Sequence, residues 1–155
     1  TKLEAARIAM AAGCGMIICD GRVRQPLSRL AEGGRHTMFR PEDSPLTARK
    51  RWIGGALTPK GVLRVDSGAE TALRKGRSLL PAGVTAARGQ FDRGDLIAVE
   101  NASGQVIANG LSAYSLADTQ IILGHKSREI ESLLGYRGRD ELIHADDLVI
   151  FDASG

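Results

Sequence analysis

Gly89-Gln90-Phe91-Asp92-Arg93-Gly94-Asp95, running into Leu96-Ile97-Ala98-Val99, is the stretch that decides the fold. An aromatic residue followed by a basic-Gly-Asp turn and an apolar run describes a tight turn that delivers the chain into a strand. Gly94 permits a backbone conformation that side chains resist. Asp95 carries a short carboxylate that can accept from nearby backbone, and Phe91 supplies an apolar anchor. Outward from this turn, strand-like segments lie at 62–66, 84–88, 95–100, 105–112 and 148–151, with turn residues at 89–94 and 102–104. Short helices interrupt them. Ser67 with Glu70 fits a capping box and opens a helix that ends at Gly76; Ser115 with Asp118 opens another that stops at Gly124; Ser127 opens a third that ends at Gly135. The expectation for residues 61–155 is a compact, mostly-β barrel with a few interposed helices.

Upstream the pattern changes. Residues 2–12 are Ala-rich, with Leu3, Ile8 and Met10 recurring on one side and Gly13 as a stop, which predicts a helix. Met16-Ile17-Ile18-Cys19 reads as a short buried strand of an α/β sheet. Pro26 suits the first turn of a second helix, ended by Gly33-Gly34, and Thr37-Met38-Phe39 reads as one more strand. Such a strand expects neighbours on both sides, so residues 1–40 are read as a slice of a layered α/β domain, paired with another copy of the chain or with segments outside it. Pro41-Glu42-Asp43-Ser44-Pro45 and the basic residues after it mark residues 41–60 as a linker.

Composition narrows the function classes. The chain is 43% hydrophobic, with one Trp, two Tyr and three Phe among its 155 residues, so its core is built from aliphatic side chains. No apolar run is long enough for a membrane span. Thr1-Lys2-Leu3-Glu4 lacks the basic-then-apolar pattern of a signal peptide and does not begin with Met, which reads as a trimmed, cytoplasmic chain. Cys14 and Cys19 have no metal-ligand spacing and are expected to be buried thiols. His36, His125 and His144 are far apart and are read as surface or satisfied polar residues, His125 at a helix end where a cation suits the dipole. Residues 1–60 carry 11 Lys/Arg against 5 Asp/Glu, a net +6, whereas 61–155 carry 10 against 13, a net −3. Nucleic-acid binding needs clustered cations and aromatic platforms. The barrel has an acidic balance, one small basic group at Arg74-Lys75 with Arg77, and Phe91, Tyr114, Tyr136 and Phe151 as its aromatics. RNA binding is therefore the rival reading and not the favoured one.

A series of blocks carries a family resemblance. Lys50-Arg51-Trp52-Ile53, Val65-Asp66-Ser67-Gly68-Ala69, Ser78-Leu79-Leu80-Pro81-Ala82-Gly83-Val84, the 89–95 turn, Gly110-Leu111-Ser112-Ala113-Tyr114, Ser127-Arg128-Glu129-Ile130, Leu134-Gly135-Tyr136 and His144 with Asp146-Asp147 resemble bacterial glutamate 5-kinases, in family order and with family-like gaps. The resemblance implies a mixed α/β chain: a PUA-type mostly-β pseudo-barrel with short helices over 61–155, preceded by a helix–strand remnant of an α/β amino-acid kinase domain over 1–40. It implies a parent enzyme that transfers the γ-phosphoryl of ATP, with Mg2+ bridging the phosphates, to the side-chain carboxylate of L-glutamate in the first step of proline synthesis. Thr1-Lys2 followed by Leu3-Glu4-Ala5-Ala6 is similar to the end of the family's Gly-rich ATP-binding motif, and a helix N-terminus with a lysine suits phosphate. The family's catalytic lysine and glutamate-binding residues match nothing here. The resemblance therefore implies no catalytic or metal-binding residue in the chain, no cofactor held by the piece alone, and a non-catalytic regulatory or assembly role for the barrel, with homo-oligomer formation. Trp52 is expected to pack at the domain junction.

Overall fold

Ser44 and Pro45 show how local sequence starts an element where a linker was expected. The computed structural model describes residues 1–41, 44–55 and 58–151. In it Pro45–Gly55 form a helix. The Ser44 hydroxyl accepts from the Thr47 N–H at 3.2 Å, and the Ala48 N–H donates to the Ser44 carbonyl at 3.0 Å. Pro45 thus occupies the first turn, where its missing N–H costs nothing. Much of the 41–60 linker is therefore helical, and the boundary between the two compact units, after Arg49, falls inside it; Glu42, Asp43, Ala56 and Leu57 lie outside the described residues. Ile53 on this helix is buried, while Trp52 next to it is 47% exposed.

The chain divides into two compact units, Thr1–Arg49 and Lys50–Gly155. In the first, α1 (Lys2–Ala11), β1 (Met16–Cys19), α2 (Pro26–Ala31) and β2 (His36–Phe39) follow in the expected helix–strand–helix–strand order. The strands pair antiparallel, Met16 opposite Phe39 and Cys19 opposite His36. Burial departs from expectation. Ile17 is exposed, Met16, Ile18 and Cys19 are half-buried, and Leu3, Ile8, Leu27 and Met38 are exposed. Two strands cannot cover both of their own faces. Cys14 is also exposed and Cys19 only half-buried, correcting the buried-thiol expectation. Gly13, in a left-handed conformation with φ 71°, breaks α1 just before Cys14.

The second unit begins within that helix, α3, and runs on through β3 (Gly61–Val65), α4 (Ser67–Arg74), β4 (Val84–Gly89), β5 (Leu96–Glu100), β6 (Val106–Leu111), α5 (Leu116–Ile122), α6 (Ile130–Leu134) and β7 (Leu148–Ile150). The sheet order is β4-β3-β5-β6-β7, with β3 parallel to β5 and the other pairs antiparallel. All five residues of the central strand β5 are buried, and Leu63, Val65, Val84, Ile107 and Ile143 close the core around it. Each fully buried aliphatic side chain contributes about 1.5–3 kcal/mol. Glu100 is the charged member of β5, and its carboxylate accepts from Arg88 at 2.7 Å with Arg64 at 3.7 Å. Leu79 pairs with Ile143 outside the named strands and ties the segment before β4 to the one before β7.

Two helix starts show the reach of cap reading. Ser115 accepts from the Asp118 N–H at 3.1 Å, as its spacing predicts. At α4 the cap is Asp66, whose Oδ1 accepts from the Ala69 N–H at 2.7 Å, and Ser67 is already helical. Glu70 pairs with Arg74 at 2.9 Å instead of reaching back to the cap. Asp66 and Ser67 are both good cap formers, and the extended backbone at Asp66, φ −78° and ψ 172°, puts the cap there. Ser127 starts a single tight turn before α6, and Gly135 closes α6 with φ 76°.

Candidate functional site

The 89–95 turn is held from four directions. Asp95 Oδ2 accepts from the Asp92 N–H at 2.9 Å, and Asp95 Oδ1 accepts from Lys60 Nζ at 2.7 Å. Gly94 N–H donates to the Ser112 carbonyl at 2.7 Å, and Ser112 N–H returns a bond to the Asp95 carbonyl at 2.9 Å. Leu116 N–H donates to the Phe91 carbonyl, while the Phe91 ring lies in the core. Gly94 has φ 89°, so it provides the left-handed corner. Arg93 sits at the exposed apex of this fixed loop.

The hydrogen bond from Asp92 and the Lys60 ammonium hold the Asp95 carboxyl below its ordinary value of 3.8. A carboxylate whose folded value is depressed stabilises the fold above its unfolded value and loses that contribution as pH falls through the folded one. Stability of the second unit is therefore expected to decline as pH falls below about 4, and Asp95→Asn is expected to flatten that decline. Urea midpoints compared between pH 6 and pH 3 check it; equal slopes for the two proteins would remove Asp95 as the source.

A second loop faces Arg93. The Tyr114 hydroxyl donates to the Arg139 carbonyl, and a Cβ on Gly138 would fall 2.2 Å from that hydroxyl oxygen. The 136–139 loop therefore lies directly on the Tyr114 ring and needs glycine at its centre. Together with Asp92, Ser115 and Asp118 the two loops line a cleft of about 540 Å³. Burial pushes the Tyr114 hydroxyl up, helped by Tyr136, Asp140 and Glu141, and the Arg93 charge pulls it back. For Tyr136, burial and its hydrogen bond to Asp118 act upward, again against Arg93. The sequence marks Tyr136 as part of a block and as one of the barrel's four aromatics, but not the cleft, because residues about forty positions apart meet there only through β5, β6 and α5.

The first unit has its own cleft, of about 760 Å³, and Lys2 lines it with Asp20, Arg22, Arg29, Arg35 and His36. Thr1 sits just before α1, where its carbonyl accepts from the Ala5 N–H at 3.1 Å. Asp20, the acidic member, is taken by Arg22 through bonds of 3.0 Å from Nε and 2.9 Å from Nη2. Those bonds hold the Asp20 carboxyl below its usual range. The remaining cations leave the cleft suited to a polyanion. The histidines do not gather: His36 Nδ1 bonds the Gly34 carbonyl, His125 lies 3.8 Å from Glu129, and His144 accepts from the Asp146 N–H. Among the described residues no three His, Cys, Asp or Glu are placed to hold a metal ion, and no helix is long and apolar enough to cross a membrane.

The five-stranded barrel, its capped short helices and the pinned turn define a PUA domain. The PUA domain family model matches residues 56–134, and the chain belongs to that family. Its similarity extends further, to glutamate 5-kinases. It is 55% identical over 150 residues to the enzyme of Paramagnetospirillum magneticum, covering 97% of this chain and 40% of that protein. It is 53% identical over 155 residues to the enzyme of Allorhizobium ampelinum, covering 100% and 40%. The chain thus spans about 40% of the length of these relatives. Among solved structures, a PUA domain from Aeropyrum pernix K1 is similar over 55% of this chain and 41% of that one, with 24% identity and a TM-score of 0.42.

Proposed function

We propose that the chain is the C-terminal part of a glutamate 5-kinase, a cytoplasmic enzyme of proline synthesis that transfers the γ-phosphoryl of ATP to the glutamate side-chain carboxylate. Overall identity above one half, in matches that cover 97% and 100% of the chain and so run through the unit before the barrel as well as the barrel, carries this reading. The first unit belongs to the kinase domain. Its basic cleft receives ATP phosphates, with Lys2 and the N–H groups behind Thr1 at the anchoring corner. The exposed Leu3, Ile8, Leu27 and Met38 are surface that the remaining kinase segments or another copy of the chain cover in an oligomer. Glutamate and Mg2+ are held by residues of those segments, so the chain alone is inactive and its barrel serves regulation or assembly.

The test joins this chain to the remaining part of the Paramagnetospirillum magneticum relative and measures glutamate-dependent ADP release. The chimera is expected to turn over and the isolated chain is not. Lys2→Ala in the chimera is expected to lower kcat/KM for ATP by about 100-fold, the scale of losing one positioned charge on a transferring phosphoryl group. A folded but inactive chimera, or unchanged kinetics in Lys2→Ala, would count against the reading.

A further inference from the structure

The kinase reading leaves the cleft of the second unit unused. Three guanidinium groups line it from two fixed loops: Arg93 from the turn pinned by Asp95, and Arg137 and Arg139 on either side of Gly138. Neither Arg93 nor Arg137 has an acidic partner among the described residues, and Arg139 is held only loosely, 3.8 Å from Glu141 and 4.0 Å from Asp147. Guanidinium forks match phosphate oxygens, and on short, braced loops the ordering left for binding is that of the side chains and not of the backbone.

The other lining groups say what else the ligand carries. Tyr136 is 46% exposed, and its hydroxyl is tethered to Asp118 Oδ2 at 3.1 Å, which restrains the ring beside the cleft. A half-open aromatic face is a stacking surface for a flat ring. Asp118 Oδ2 also takes the Ser115 hydroxyl at 3.0 Å, but Oδ1 makes no hydrogen bond among the described residues, and neither does the Asp92 carboxylate. Two carboxylates beside three arginines would oppose a bare anion. They suit a ligand that brings hydroxyl or amino donors along with its phosphate. A volume of about 540 Å³ falls in the range of small-molecule sites.

We propose that the cleft between the 92–93 turn and the 136–139 loop binds a nucleoside monophosphate, with its phosphate on Arg93 and Arg137, its base on Tyr136 and its donors toward Asp92 and Asp118. The site is independent of the kinase reading: it lies in the barrel unit and needs no phosphoryl transfer. As a regulatory site it would let the barrel sense the nucleotide pool.

The experiment is amide NMR of the whole chain titrated with AMP, inorganic phosphate or decauridylate at low salt. Saturable AMP shifts are expected at residues 92–94 and 136–139. Arg137→Ala and Tyr136→Leu, both at exposed positions, are each expected to weaken AMP by about tenfold, the size of one charge-assisted bond or one stacked base. Inorganic phosphate is expected to bind at least tenfold more weakly. Shifts confined to 20–22 and 34–36 would place AMP in the other cleft and overturn the proposal. So would AMP affinity unchanged in Arg137→Ala, phosphate binding as tight as AMP, or decauridylate bound without competition from AMP. None of these outcomes bears on the chimera's kinase activity, so the two readings fail separately.

Discussion

Phe91→Ala is expected to destabilise the barrel unit by about 3–5 kcal/mol, the range for removing a buried aromatic ring. Phe91 is 5% exposed and belongs to the main core cluster with Leu63, Ile97 and Ile122. The upper part of the range is favoured because the ring does two jobs. It fills the core, and it closes over Gly61: a Cβ built there would lie 2.3 Å from Phe91 Cδ1. Removing the ring opens a cavity bordered by strand backbone of β3, which cannot collapse into it without breaking pairs to β4 and β5. A domain of this size has only about 5–15 kcal/mol in hand. Urea denaturation followed by far-ultraviolet circular dichroism measures the loss, and Phe91→Leu, which keeps most of the volume, is expected to lose under half as much. A loss below about 1.5 kcal/mol for Phe91→Ala would mean that the turn is held by its hydrogen bonds and not by the ring.

The residues that proved legible in the sequence are those whose roles are local. Gly94, Asp95 and Phe91 each do what their chemistry in a seven-residue window requires, and Ser115 caps the helix it precedes. Asp66 displaced Ser67 as a cap because both are adjacent cap formers, and only the backbone conformation at Asp66, φ −78° and ψ 172°, decides between them. Pro45 was read as a loop residue because proline both breaks helices and begins them; Ser44 and the buried Ala48 and Ile53 settle it. Misread burial in the first unit has another origin. Four apolar residues in a row announce a strand that needs cover, and nothing in the row says whether the cover lies in the same chain. Glu100 inside an otherwise apolar strand, and the meeting of Arg93 with Arg137 and Arg139, were illegible for a different reason. Both depend on which elements become neighbours: the partners of Glu100 come from β3 and β4, the former joined by a parallel pairing across about 35 positions, and the arginines meet through β5, β6 and α5, none of which marks the separate segments.

The sequence's other sharp requirement is at Gly89, and Gly89→Ala is expected to cost about 3 kcal/mol or more, by two separable routes. Gly89 has φ 111°, a region that any Cβ opposes. A Cβ there would also lie 2.5 Å from both Gly61 Cα and the Lys60 carbonyl oxygen. Both contacts are to backbone, so no side-chain rotation relieves them. Gly89 and Gly61 are register partners at the edge of the β3–β4 ladder, where a strand pair can ordinarily fray. Fraying is blocked on the other side. Gly61 also pairs with Ile97, Lys60 N–H donates to the Leu96 carbonyl, and Lys60 carries the ammonium that holds Asp95. Moving Gly61 therefore disturbs the core strand and the turn together. Gly94→Ala separates the two routes: its φ of 89° imposes a similar backbone penalty, but a Cβ there meets nothing within 4 Å. That variant is expected to lose about 1–2 kcal/mol, so the excess in Gly89→Ala measures the close approach of β4 to β3. Equal losses in the two variants, read from the same urea curves, would show that β3 yields and that the approach is not a constraint on the fold.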